Sequence, residues 1–239
     1  MIGPILLLFF GTFLGGLMAN FLAVKQSTIR YPLIFAGSFL FAITIIHILP
    51  EVFTLSQNPM RIGIYVLVGF FFQQVLEILT SGVEHGHFHA HNGSRRSVLF
   101  VILGLSIHSV LEGALLTHDS PFHGQHESSS LLIGILLHKL PAAFALAAIL
   151  KGSGKLKPMH FLVLAVFSVM SPLGLILSDV ILDIPKNYFL MLFAFVSGSF
   201  LHISTTIFVE TSPDHQFKPG RIIVSIIGAA VAIAAEYLM

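Results

Sequence analysis

Gly104-Leu-Ser-Ile-His108-Ser-Val-Leu-Glu112-Gly113 and Gly134-Ile-Leu-Leu-His138-Lys139-Leu-Pro141-Ala142-Ala143-Phe144 are ionisable islands inside two long apolar runs. Slid by thirty residues they superpose, with Gly104 on Gly134, His108 on His138 and Leu116 on Leu146. An ionisable side chain at the centre of a bilayer costs about 2.5–3.5 kcal/mol or more, and such residues are typically functional. In a helix His108 and Glu112 share one face, one turn apart. That spacing lets an imidazole and a carboxylate hold one cation, with His138 reaching in from the next helix. Two buried histidines and an acid therefore read as a metal site inside a membrane.

The composition bounds the class. Of 239 residues, 55% are hydrophobic and 10% charged. Soluble domains carry about 25% charged residues, so this chain has too few to solvate a globule. There is no cysteine, which removes disulfides and thiolate ligands. The first apolar run lacks a basic leader and is long enough to span, so a permanent helix rather than a cleaved signal peptide is expected. Thirteen histidines are the compositional oddity.

Runs of about 20 apolar residues span a bilayer, and the sequence predicts eight: 4–24, 32–52, 61–81, 97–116, 130–150, 159–182, 187–210 and 220–238. All are expected to be helices, because an isolated strand cannot satisfy its backbone in lipid. The expected fold is an all-α polytopic membrane protein, a single transmembrane domain over 1–239. Alternate loops hold Lys25 and Arg30, Arg95 and Arg96, Lys151, Lys155 and Lys157, then Lys218 and Arg221; the opposite set holds only Arg61 and Lys186. This bias places both termini outside, in a bacterial inner membrane or a plasma membrane.

Gly37-Ser-Phe-Leu-Phe-Ala-Ile-Thr-Ile-Ile46 of the second span matches Gly198-Ser-Phe-Leu-His-Ile-Ser-Thr-Thr-Ile207 of the seventh at six of ten positions. The two spans run in opposite directions. That predicts a 3+2+3 inverted-repeat bundle, helices 1–3 against 6–8 with 4–5 between. Such repeats are typical of secondary transporters, whose sites lie near midplane. At about 1.5 Å per residue, His108 lies roughly 17 Å into its span and His138 roughly 12 Å, both near the middle of the core. Gly104, Gly113 and Gly134 are expected to let the fourth and fifth helices approach.

The neighbours of this site leave several readings open. Pro141 releases the carbonyl of Leu137, either as an oxygen for an ion or as a packing kink. Lys139 is too deep to reach the interface and needs an anion, Glu112 being the nearest by depth; its ammonium takes the place of a second cation or makes an ordinary ion pair with Glu77 or Glu112. His47 and Glu51, four apart at the outer end of the second span, form an entrance site or a solvated helix end. Glu77, near Gln73 and Gln74, and Glu210 are exit ligands or solvated termini. His202 and Asp179 are embedded with no partner visible by spacing. In the cytosolic loop 82–96, His85, His87, His89 and His91 alternate, and the opposite loop holds His118, His123 and His126. Both tracts suit loose metal handling.

Together these residues resemble the ZIP (Zrt/Irt-like) divalent metal transporters. His108-Ser-Val-x-Glu112-Gly113 is similar to that family's fourth-helix motif, and His138-Lys139-x-Pro141-Ala142-Ala143-Phe144 to the subgroup reading His-Lys-x-Pro-Ala-Ala-Phe. The outer His47-x-x-Pro50-Glu51 and the His-rich loop also match. The resemblance implies uptake of Zn²⁺ into the cytosol by elevator-like or rocking alternation, with His108, Glu112 and His138 as transport ligands. It departs from binuclear members at Ser109 for Asn, Lys139 for a carboxylate and Ala142 for Glu. The site is thereby one ligand short, to be supplied by water, Ser109 or a second-helix group.

A His/carboxylate site suits Zn²⁺ as the transported substrate and accommodates Fe²⁺, Mn²⁺, Cd²⁺, Co²⁺ and Ni²⁺, while absent thiols disfavour Cu⁺. No phosphate-binding loop is present, so ion gradients are expected to drive the step. The expected partners are the bilayer and the ion, with a homodimer a further candidate and nucleic acid excluded. The competing class is an intramembrane zinc hydrolase, which also needs buried histidines and an acid. The chain has no His-Glu-x-x-His, and an enzyme gains nothing evident from an inverted repeat, so a non-enzyme is expected.

Overall fold

A computed structural model describes residues 2–21, 26–80, 95–116, 127–152, 157–181, 186–210 and 219–238. Its elements are helical, with no strand among the described residues. The helices are α1 (Ile2–Phe21), α2 (Gln26–Ile43), α3 (Pro59–Thr80), α4 (Arg95–Ala114), α5 (Glu127–Gly152), α6 (Lys157–Ile176), α7 (Lys186–Glu210) and α8 (Pro219–Leu238). Helix α2 runs on through a π turn, Thr44–Ile48, into a last stretch, Leu49–Leu55; α6 ends in a π turn, Leu177–Ile181.

Local chemistry explains the punctuation. Pro50 has no N–H and clashes with a carbonyl one turn back. The π turn absorbs that conflict, the amide of Leu49 donating to the Thr44 carbonyl five residues earlier. The chain then reverses over Ser56–Asn58. The Asn58 side-chain oxygen accepts from the Arg61 amide at 3.0 Å, an N-cap, with Pro59 opening α3.

Six of the helical rods are long and apolar enough to cross a bilayer; α4 and α5 hold shorter apolar stretches, Leu99–Ala114 and Leu131–Phe144. These are the two that carry the ionisable islands. The burial pattern is that of a protein dissolved in lipid. Leu67, Phe71 and Ile78 of α3 face outward, while Ser38, Thr44, Gln73, Ser109, Ser171 and Ser197 are buried. Buried hydroxyls of Ser38, Thr44, Ser168, Ser197 and Ser204 donate to carbonyls four residues back, so they cost little inside the bundle.

The helices pack as two groups. One joins α1 with α5 and α6, and α4 with α6; the other joins α3 with α7, and α2 with α7 and α8. Contacts of α2 with α5, and of α3 with α4, tie the groups together. Exchanging helices 1–3 for 6–8, and 4 for 5, turns the α3–α7 pair into α8–α2 and the α1–α5 pair into α6–α4. That interchange is what a 3+2+3 repeat produces. Glycines set the closest approaches: a Cβ on Gly69 or Gly198 would overlap the carbonyl of Phe195 or Val66 across α3–α7.

One expectation is corrected. Gly113 and Gly134 do not bring α4 and α5 together: Gly113 lies against Ser171 of α6 and Gly134 against Phe39 of α2. The backbone of each site helix packs on other helices, and the two meet through side chains.

Candidate metal centre

Helical period presents His108 and Glu112 from one face of α4, and α5 presents His138 and Lys139 toward them. Glu112 Oε1 lies 2.7 Å from His108 Nε2 and 2.6 Å from His138 Nε2. The other oxygen, Oε2, lies 2.9 Å from the Lys139 ammonium. The imidazole rings stand edge to face, 5.8 Å between centroids. All four side chains are buried, Glu112 completely.

Lys139 and His138 have further contacts that orient them. Lys139 Nζ donates to Ser109 Oγ at 2.7 Å and sits 5.1 Å from the centre of the Phe167 ring. Ser171 Oγ of α6 donates to the Ser109 carbonyl at 2.8 Å. His138 Nδ1 faces the Gly134 carbonyl at 3.3 Å. A proton on Nδ1 directed at that carbonyl leaves the Nε2 lone pair for a cation.

One ligand atom from each of His108, Glu112 and His138 falls within 4.8 Å of the other two. The donor set is borderline and hard, as zinc and its neighbours prefer. Two ligands of a tetrahedral Zn²⁺ at 2.0–2.1 Å stand about 3.3 Å apart. The imidazoles therefore need to withdraw from Oε1 by only roughly 0.6 Å to share an ion with it. The lysine changes the electrostatics: the carboxylate faces imidazoles with one oxygen and a fixed positive charge with the other.

The remaining expected residues are distributed as follows. Lys139 pairs with Glu112 and not Glu77. Ser109 Oγ accepts from Lys139, so it is directed to the ammonium side. His47 Nε2 lies 3.6 Å from Glu51, and its Nδ1 lies 2.7 Å from Glu236 of α8. Glu77 pairs with His202 Nε2 across α3–α7, with Thr206 Oγ1 3.4 Å from the same nitrogen and the Phe70 ring against the imidazole. Sequence spacing missed both Glu236 and the His202–Glu77 pair, whose members are too far apart in the chain for any periodic rule. The Glu210 side chain and His85, His87, His89, His91, His118, His123 and His126 lie outside the described residues.

Known proteins are similar to this chain in sequence. The family model described as ZIP Zinc transporter matches residues 84–234, well over half of the chain. Protein zntD of Dictyostelium discoideum is 30% identical over 150 residues, covering 56% of this chain and 22% of that protein. Zinc transporter ZIP1 of Danio rerio is 32% identical over 134 residues, covering 54% and 41%. Zinc transporter ZIP9-A of Xenopus laevis is 28% identical over 177 residues, covering 66% and 55%. The chain thus spans from about a fifth to about half of the length of these relatives.

Proposed function

The chain belongs to the ZIP zinc transporter family, and from that premise we propose that it carries a divalent transition metal, Zn²⁺ foremost, across the membrane into the cytosol. Transport, not catalysis, is the proposed activity, and His108, Glu112 and His138 are its ion ligands. The observation that carries this reading is the convergence of three buried ligand atoms from two helices at one point.

The packing supports alternating access. The three ion ligands and Lys139, with Ser109, Phe167 and Ser171 against them, lie on α4, α5 and α6, in the group containing α1; α2, α3, α7 and α8 form the other, and its Phe200 ring stands against His138. Sliding one group against the other would carry an ion without dismantling its ligands, an elevator-like step. Lys139 occupies the place of a second cation, so each chain carries one ion at a time, with water completing the ion's ligands. His47 with Glu51 serves ion entry, and Glu77 and Glu210 serve release. The histidines of 82–96 and of the opposite loop gather metal at the two faces.

Purified protein in liposomes tests the reading. Zn²⁺ enters with the unaltered chain, and His108→Ala or His138→Ala abolishes entry while helical content persists. Undiminished flux in both variants would exclude these ligands. A panel of Fe²⁺, Mn²⁺, Cd²⁺, Co²⁺ and Ni²⁺, with and without a pH gradient, then reads selectivity and driving force.

A further inference from the structure

An open, almost wholly apolar crevice of about 600 Å³ runs along the seam between the two helix groups. Gly15 and Met18 of α1 and Pro141 and Phe144 of α5 line one side; Phe35 of α2 and Val224 of α8 line the other. Its volume falls within the roughly 300–1,000 Å³ of sites that hold a small ligand. Met18 and Tyr31, also in its lining, are about half exposed. In a chain that crosses the bilayer, that exposure is toward lipid.

The crevice has a charged end. Helices α2 and α8 are parallel neighbours: Gly220 lies beside Tyr31, Gly228 beside Phe35, and Glu236 beside His47. Arg30 and Arg221 therefore stand at the same end of the pair. Arg221 is one turn before Val224. Arg30 is one turn before Ile34, whose side chain clusters with Phe144 and Val224. Both arginines are half-buried, as when aliphatic stems lie on apolar surface and guanidinium heads reach the interface. By the distribution of Lys and Arg this is the cytosolic end, where anionic lipids concentrate.

We propose that the crevice is a binding site for an anionic phospholipid of the cytosolic leaflet, its acyl chain along Phe35, Pro141, Phe144 and Val224 and its phosphate between Arg30 and Arg221. Guanidinium groups recognise phosphate by paired hydrogen bonds, and the apolar walls exclude a water-soluble anion as the principal occupant. The site is independent of which ion the chain carries. A chain seated there fills the seam on which the two groups would slide, directly behind the stretch of α5 that presents His138.

Native mass spectrometry of the delipidated full chain tests this, with phosphatidylglycerol and phosphatidylcholine of identical acyl chains added in equal amounts. One phosphatidylglycerol per chain is retained in preference to phosphatidylcholine. Arg30→Gln with Arg221→Gln removes the preference, by about fivefold per arginine, and leaves residual binding of either lipid. Val224→Trp, which fills the crevice and keeps both arginines, reduces retention of both lipids. Equal retention of the two lipids by the unaltered chain overturns the proposal. So does wild-type retention of phosphatidylglycerol in both variants.

Discussion

Replacing Lys139 with methionine keeps most of the unbranched side chain and removes its charged end. The ammonium is 2.9 Å from Glu112 Oε2, with the lysine 2% and the carboxylate 0% exposed. Taking one partner from a buried ion pair leaves an uncompensated charge and costs about 3–5 kcal/mol. For a chain of this size about 1 kcal/mol moves the melting midpoint by about 2–4 °C, so Lys139→Met melts roughly 6–20 °C below the unaltered protein in chelator. Saturating Zn²⁺ supplies the missing positive charge on the other side of the carboxylate, and the gap narrows. The chain has no tryptophan, so far-ultraviolet circular dichroism is the suitable probe. Arg61→Met, at an exposed helix start, is the control and moves stability by no more than about 0.5 kcal/mol. A Lys139→Met melt within about 2 °C of wild type in chelator, under 1 kcal/mol by the same conversion, would refute the buried pairing. A gap unchanged by Zn²⁺ would refute the shared role of Glu112.

Three further outcomes are expected. Lys139→Glu combined with Ala142→Glu, one turn beyond His138, raises bound Zn²⁺ from one to two ions per chain by elemental analysis; a ratio still at one would contradict the substitution of an ammonium for a second ion. Zn²⁺ affinity falls as pH falls, because imidazoles bind metal only when deprotonated, and by up to about a hundredfold per pH unit where both are protonated; a chelator-competition series that is flat in pH argues against histidine ligation. Gly198→Leu drives a side chain into the Val66 carbonyl of α3, a backbone atom that cannot turn aside, and destabilises the fold by more than about 4 kcal/mol, whereas Gly3→Leu, with nothing within 4 Å, is neutral; comparable yields of monodisperse protein from the two would count against the α3–α7 contact.

The helical class is legible in the chain because lipid leaves an apolar run of spanning length one way to satisfy its backbone. The local half of the candidate metal centre is legible for a similar reason: a period of 3.6 residues puts His108 and Glu112 on one face, and they stand 2.7 Å apart. The thirty-residue correspondence of His108 and His138 pointed across to the next helix, and the two rings do meet. What period cannot supply is the choice among distant partners. Depth made Glu112 the nearest anion for Lys139 but left Glu77 open as an ordinary ion-pair partner; the packing of α3 on α7 gives Glu77 to His202 and leaves Glu112 to the lysine. Pairing of α2 with α8 brings Glu236 to His47, and Gly113 turns out to serve α6 rather than α5. Such contacts depend on which helix faces register against each other. That is decided by close backbone approach at glycines and by matching buried charges, and neither leaves a periodic trace along the chain.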